Sequence, residues 1–342
     1  MILNINGKIV SNWHRPFLVA EIGINHNGSL SLAKKTIIAA KESGADAVKF
    51  QFFRKGFLIN PYLKESTPVI KILEKNALTE KMIRDIKLFC DKIGILFFAT
   101  VFDLKGVDIL ESLNVSLYKI ASGDINNLSL IEKVAKTKKP VVLSTGASIL
   151  KEVDRAVSIL KKYKTKFCLL HCVSLYPAPL EKMNLKTISF FFKRYKMPSG
   201  LSDHTVGIKA SEWAVSLGAA MIEKHFTLNR SLKGPDHKLS LDPEGFSSLC
   251  KTVELMFKTF GEEKKSVLNE ELQSHMWGRR SPVAIKKINK SERISDENVI
   301  LLRPQKGLSA EYLKNIIGKK AKIDIPEGTI FNKENIYKNL SF

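Results

Sequence analysis

Short apolar runs rich in β-branched and aromatic residues recur along most of the chain. They are FLVAEIG (17–23), DAVKFQ (46–51), ILFFAT (95–100), SLYKIAS (116–122), PVVLST (140–145), FCLLHC (167–172), SGLSDH (199–204) and AAMIEKH (219–225). The runs are continuous rather than alternating, the pattern of strands buried on both faces. Segments with helical spacing lie between them. SLSLAKKTIIAAKESGA (29–45) carries Leu32, Ile37, Ile38 and Ala39 before a stop at Gly44. LTEKMIRDIKLFCDKIG (78–94) opens on Thr79 as a cap, has Glu80 in its first turn and ends at Gly94. SILKEVDRAVSILKKY (148–163) opens at Ser148, with Ile149, Val153, Val157 and Leu160 in one stripe. TVGIKASEWAVSLGA (205–219) and DPEGFSSLCKTVELMFKTFG (242–261) continue the pattern. Eight strand–helix units predict an α/β chain folded as a (β/α)8 barrel over residues 1–261; a doubly wound open sheet is the alternative.

The pattern changes after Gly261. Residues 262–280 are charged and then turn-like, and read as a connecting helix and linker. Residues 281–342 show strand-like pieces, SPVAIKKI, AKIDIP and GTIFN, and a short helix candidate at 309–317. This is a small β-rich domain, near the lower size at which a domain folds alone.

Composition narrows the class. At 342 residues and 44% hydrophobic content the chain can bury a full core. No apolar run approaches the ~20 residues of a membrane span. The N-terminal MILNINGKIVSNWHRPF has no signal-peptide core, which predicts a cytoplasmic protein. Cys90, Cys168, Cys172 and Cys250 form no C-x-x-C pair and read as reduced thiols. The net charge of +21 raises nucleic acid as a partner, but the lysines are scattered among acidic residues without a long like-charge block. That distribution argues against nucleic acid and leaves a positive field that gathers small anions.

In a barrel the active site lies at the C-terminal strand ends. Those positions hold Glu21; Lys49 and Gln51; Thr100; Lys119 and Ser122; Ser144 and Thr145; His171 and Ser174; Ser202, Asp203 and His204; and Glu223 and His225. Two lysines at strand ends are costly unless paired or used. With the hydroxyls they suit a phosphate, or a phosphate plus a carboxylate. His204 and His225, on adjacent strands, can share a divalent metal with open positions. Glu21 can orient a water or take a proton. Taken singly, each has an ordinary structural explanation: an ion pair, a cap, or a core histidine. Asn27-Gly28, STG at 144–146 and YPAP at 176–179 are weaker turn and loop signals.

The segments EIGINHNG, VKFQ, YKIASGDINN, LSTGAS, HCVSLYPAP, GLSDHTVG and IEKHFTLN…GPDHKLSLDP together resemble the sialic acid synthase family: N-acetylneuraminate synthases and their legionaminate and pseudaminate relatives. The tail LLRPQKGLSAEYLKNIIGKKAKIDIPEGTI resembles the SAF (antifreeze-like, β-clip) domain that follows their barrel.

The resemblance implies condensation of phosphoenolpyruvate with an N-acetylated amino hexose and water, giving a 2-keto acid and phosphate. N-acetylmannosamine is the acceptor in the type case, and a 2,4-diacetamido-2,4,6-trideoxy hexose is the alternative. It also implies that Lys49, Thr100, Lys119, Ser122, Ser144, Ser174 and Ser202 hold phosphoenolpyruvate, with Glu21, Lys49, Lys119 and Asp124 catalytic. His204 and His225 would bind a divalent metal, Mn2+ first, Mg2+ or Co2+ otherwise. Gln51, Tyr176 and Asp236 would meet the sugar, as would Arg303, reaching across a domain-swapped homodimer. Val101 stands where the family usually has proline, and the 60–68 loop NPYLKESTP lacks an asparagine that some N-acetylneuraminate synthases use on the sugar. These departures leave the hexose open, with pseudaminate least favoured. A 3-deoxy-ulosonate synthase would need a second phosphate site. Ice binding would need a flat threonine array where the tail has Lys286, Lys287, Lys319 and Lys320.

Overall fold

The computed structural model describes residues 2–63 and 67–336; residues 64–66 of the 60–68 loop and residues 337–342 of the small C-terminal domain lie outside that description. Residues 1–261 and 262–342 form two compact units.

The first unit opens with an antiparallel hairpin, β1 (Leu3–Ile5) and β2 (Lys8–Val10). Eight parallel strands follow: β3 Phe17–Gly23, β4 Ala47–Phe52, β5 Leu96–Val101, β6 Tyr118–Ile120, β7 Val141–Ser144, β8 Phe167–Cys172, β9 Ser199–Asp203 and β10 Met221–His225. Each pairs with the next, and β10 returns to β3 to close the barrel, as the sequence pattern predicts. The helices are α1 Leu30–Glu42, α2 Thr67–Asn76, α3 Glu80–Ile93, α4 Leu104–Ser112, α5 Leu128–Lys136, α6 Leu150–Lys162, α7 Lys186–Tyr195, α8 Lys209–Ser216 and α9 Pro243–Phe260.

Local chemistry sets the helix ends. The Thr79 hydroxyl accepts from Met82 N at 3.2 Å to start α3, and Gly94 ends it at φ 72°, where a side chain would be strained. Ser148 does not open α6; Ile149 precedes it, its N–H donating to the Glu152 carboxylate, and the Ile149 side chain is exposed. The buried face of α1 is Ala33, Thr36, Ile37 and Ala40, with Ile38 outside, because a stripe at i, i+3, i+4, i+7 cannot also contain Ile38.

The strands sort their side chains by parity. Leu18, Ala20 and Ile22 of β3, Val48, Phe50 and Phe52 of β4, and Leu169 of β8 point outward into the layer beneath the helices. The alternate positions point inward. Lower in the barrel they are apolar: Val19, Ala47, Phe98, Leu117, Val142, Cys168, Leu170 and Met221, packed with Leu3, Ile5 and Val10 of the hairpin, which floors the barrel. Two residues further along each strand the inward set is Glu21, Lys49, Thr100, Lys119, Ser144, Cys172 and Glu223. The apolar core thus ends where a polar layer begins.

The second unit contains α10 (Leu272–Gly278), an antiparallel pair β11 (Ser281–Ala284) and β12 (Val299–Leu302), and α11 (Leu313–Ile316). Its core gathers Ala284, Ile288, Ile294, Val299, Ile325 and Phe331. AKIDIP and GTIFN make isolated bridges, Ile288 to Ile325, Ala321 to Ile336 and Val283 to Ile330, rather than ladders. Among the described residues no helix is long and apolar enough to cross a membrane.

Candidate active site

A cavity of about 420 Å³ occupies the C-terminal mouth of the barrel. Glu21, Lys49, Gln51, Thr100, Lys119, Ser122, Asp124, Ser144, Ser174, Tyr176, Ser202, His204 and His225 all border it. The Lys49 ammonium lies 2.9 Å from Glu21 Oε2 and donates to Thr100 Oγ1 at 3.1 Å. Gln51 Nε2 donates to the other Glu21 oxygen at 3.0 Å. The Lys119 ammonium donates to Ser144 Oγ and to the Ile120 carbonyl.

Glu223 joins the two lysines. Its Oε1 is 3.6 Å from Lys49 Nζ and 4.0 Å from Lys119 Nζ, and it accepts from Ser202 Oγ at 2.9 Å. It stands at a strand end in the sequence, but nothing there assigns it a role; only the closed barrel puts it between lysines from β4 and β6. Two buried ammoniums are therefore matched by two buried carboxylates, which is how they tolerate removal from water. The carboxylates are pushed apart in acidity. Burial, reinforced by Glu223, raises Glu21 above the usual carboxylate range against the pull of Lys49. For Glu223 burial also acts upward, but Lys119 and Lys49 outweigh it and hold the group below that range. Two carboxyl groups driven to opposite sides divide roles: one exchanges protons and the other remains an anion.

Beside Glu223, at the ends of β9 and β10, the rings of His204 and His225 have centroids 5.4 Å apart, and Tyr176 covers His204 at 4.1 Å. His204 Nδ1 is 3.0 Å from the Val173 carbonyl, so Nδ1 donates there and Nε2 is the nitrogen left to meet an ion. His225 Nδ1 is buried without a hydrogen-bond partner. Burial, with His204 and Lys49 close by, pushes this imidazole well below the histidine range, which keeps it neutral. Two imidazoles bound to one ion through bonds of about 2.0–2.1 Å leave their centroids roughly 4.5–6 Å apart, so the pair fits a shared divalent metal. Among the described residues no group of three or more His, Cys, Asp or Glu is placed to hold an ion. The chain offers two nitrogens, and oxygen donors from water and substrate would complete the shell.

Several strand-end residues fall elsewhere. His171 and Thr145 point outward, because Cys172 and Ser144 take the inward positions of β8 and β7, and they line a separate cavity beside α6 and α7. His171 Nε2 meets the Met183 carbonyl at 2.6 Å, a structural contact. Asp203 also points outward, into a fully buried ion pair with Lys224 at 2.9 Å. Asp236 does not border the main cavity; its carboxylate lies 3.8 Å from His225 Nδ1, in a loop where Ser240 donates to the Asp236 carbonyl. Arg303 belongs to the second unit, where it is exposed. Val101 faces outward, so the departure from proline does not touch the cavity.

The sequence reading also missed Cys172, whose sulfur lies 3.7 Å from His204 Nδ1; strand parity would have found it. A Cβ at Gly146 would come within 2.3 Å of Ser174 Oγ and 2.9 Å of Cys172 Sγ, so any side chain there would displace those groups from the cavity wall.

Comparison with known proteins agrees with this geometry. The NeuB family pattern matches residues 36–265, and the SAF domain matches residues 279–336. The N,N'-diacetyllegionaminic acid synthase of Campylobacter jejuni is 40% identical over 320 residues, 90% of this chain and 96% of that protein. The enzyme of the same name from Legionella pneumophila is 38% identical over 335 residues, 94% of each chain. A crystal structure of N-acetylneuraminic acid (sialic acid) synthetase from Leptospira borgpetersenii, in complex with citrate, is 34% identical and superimposes with a TM-score of 0.75, covering 80% of this chain and 95% of that one. With the barrel, the polar ring at its mouth and these relatives in agreement, the chain belongs to the NeuB family, the sialic acid synthases, as an enzyme carrying a C-terminal SAF domain.

Proposed function

We propose that the protein is a carbon–carbon bond-forming transferase that condenses phosphoenolpyruvate with an N-acetylated amino hexose and water to a nine-carbon 2-keto acid and phosphate. The observation that carries this reading is the buried Lys49–Glu21–Glu223–Lys119 ring beside the His204–His225 pair inside one cavity. Phosphoenolpyruvate brings a phosphate and a carboxylate. Lys49 and Lys119, with the hydroxyls of Thr100, Ser122, Ser144, Ser174 and Ser202, supply preset donors for both, so charge is stabilised without reorganisation. C3 forms the new bond to the aldehyde carbon, a water oxygen adds at C2, and the C2–O bond to phosphate then breaks. Glu21, the more basic carboxylate, takes a proton from that water, while anionic Glu223 steadies the positive character at C2. Asp124, half-buried on the cavity wall, is placed to exchange the remaining proton. A divalent ion, Mn2+ first, held by His204 and His225, would supply Lewis acidity toward the aldehyde oxygen. Tyr176 and Gln51 border the space left for the sugar, and the Asp236 carboxylate lies 3.8 Å from His225 Nδ1.

The acceptor we favour is a 2,4-diacetamido-2,4,6-trideoxy hexose, supported by the names of the Campylobacter and Legionella relatives. A second reading, N-acetylmannosamine, is supported by the Leptospira structure. The test is phosphate release from phosphoenolpyruvate with Mn2+ and each hexose in turn. Release with one acceptor is expected, together with a fall of at least about 100-fold on chelation and recovery when Mn2+ is restored. No release with either hexose removes the reading.

We further propose a domain-swapped homodimer in which Arg303 of the partner subunit, within the SAF domain, completes the acceptor site. Arg303→Ala and Glu21→Ala homodimers are each expected to be inactive. Mixing them under conditions of subunit exchange restores about a quarter of wild-type activity, because half of the dimers are mixed and each carries one intact site. No recovery in exchanged dimers removes the shared site.

A further inference from the structure

The pairing of β9 with β10 ends at Asp203 opposite Lys224, one residue short of each histidine. Side chains continue the link where the main-chain ladder stops. Asp203 and Lys224 point outward, beneath α8, and their carboxylate and ammonium meet at 2.9 Å with no exposed surface. Asp203 Oδ2 also accepts from Ser211 Oγ of α8 at 2.6 Å, and Oδ1 accepts from Thr205 N at 2.8 Å. The Lys224 ammonium donates to the Thr205 carbonyl at 2.6 Å and reaches the Thr205 hydroxyl at 3.4 Å. Its three protons thus have three acceptors, two of them on Thr205. His204 therefore sits between two residues, 203 and 205, that are both tied to Lys224, the residue bonded to His225.

Packing alone does not call for charges here. An apolar pair between the sheet and α8 would fill the space with nothing to desolvate. What the ion pair adds is direction, since hydrogen bonds to Thr205 and Ser211 fix a geometry that apolar contact leaves loose. Direction matters at this spot because, among the described residues, no third His, Cys, Asp or Glu joins the two imidazoles to hold an ion. The protein's share of the affinity then depends on one nitrogen-to-nitrogen spacing. His204 Nδ1 has the Val173 carbonyl to orient its ring, whereas His225 Nδ1 has no hydrogen-bond partner. The placing of that second ring falls to its backbone.

Resting on the reading of His204 and His225 as a divalent-metal pair, we infer that Asp203 and Lys224 are positioning residues for the ion. The buried pair sets the spacing of the two imidazoles from behind, and its contribution is to metal affinity more than to the stability of the barrel.

The experiment measures Mn2+ binding to the full chain by titration calorimetry, without substrates, and follows folding by circular dichroism. His225→Ala is expected to abolish binding. The double variant Asp203→Leu with Lys224→Met is expected to fold yet bind Mn2+ about 10- to 100-fold more weakly, the usual cost of losing an outer-shell partner. Leu110 is buried in α4, between β5 and β6 and across the barrel from β9 and β10. Leu110→Ala loosens the barrel by leaving a void there, so it should lower stability and keep wild-type Mn2+ affinity. Asp203→Asn retains an acceptor for Thr205 N but weakens the bond to Lys224, and should cost about threefold or more in affinity; it carries the test if the double variant does not fold. A folded double variant, or Asp203→Asn, that binds Mn2+ as tightly as wild type overturns the positioning role and leaves the metal reading standing. Equal weakening by Leu110→Ala also overturns it, because the loss would then follow stability. No Mn2+ binding by the wild type, or unchanged binding in His225→Ala, overturns the metal reading, and this inference with it.

Discussion

Glu21→Gln is expected to lower turnover by about 10²- to 10⁴-fold, the usual contribution of a positioned general base, while phosphoenolpyruvate still binds. The two effects separate because Glu21 touches the anion site only through Lys49, at 2.9 Å. Neutralising it leaves the ammonium with less local counter-charge, so affinity for phosphoenolpyruvate should hold or tighten as phosphate release collapses. The acid limb of kcat/KM gives a second readout. Glu21 is raised by burial, so it gains its proton at a higher pH than an exposed glutamate. Activity in the wild type, which needs the ionised form, should therefore be lost as pH falls through a value above the ordinary carboxylate range. Titration calorimetry and steady-state phosphate release check both halves, and Glu21→Gln turnover within tenfold of wild type would take Glu21 out of the chemistry.

Asp203→Ala is expected to destabilise the barrel by about 3–5 kcal/mol, the cost of removing one partner from a buried pair. Asp203 and Lys224 have no exposed side-chain surface. Asp203 also accepts from Thr205 N at 2.8 Å and from Ser211 Oγ at 2.6 Å, so alanine leaves a buried ammonium without its counter-charge and two donors without this acceptor. The Lys224 ammonium reaches the Thr205 carbonyl as well, which fixes the backbone immediately after His204. Replacing both members, as Asp203→Leu with Lys224→Met, should recover much of the loss, because no charge is then stranded. Urea unfolding followed by tryptophan fluorescence measures it, and a single-variant loss under about 1 kcal/mol would mean that the pair is not sealed from water.

The barrel was legible because strands buried on both faces read as unbroken apolar runs, and such runs alternating with helical spacing leave few architectures open. The same property hid the finer site. Where every strand residue is buried, the inward and outward faces look alike in composition, so His171, Thr145 and Asp203 read as members of the ring that Cys172, Ser144 and Ser202 occupy. Parity counted back from Glu21, Lys49 and Lys119 would have separated them. Glu223 was visible as a residue but not as a link, since its lysine partners lie far away in the chain and meet it only on closure. The β1–β2 hairpin left almost no signal: two three-residue strands around Asn6-Gly7 are too short for any period to register.

That hairpin gives the chain's synthesis an order. Leu3, Ile5 and Val10 leave the ribosome before any barrel strand, yet the surface that shelters them includes Leu170 of β8 and Met221 of β10. Until those late segments arrive, three aliphatic side chains wait in water beside an open-ended sheet. Residues made before the barrel are thus protected only as it closes, and the nascent chain carries that exposed apolar surface until its final strand docks.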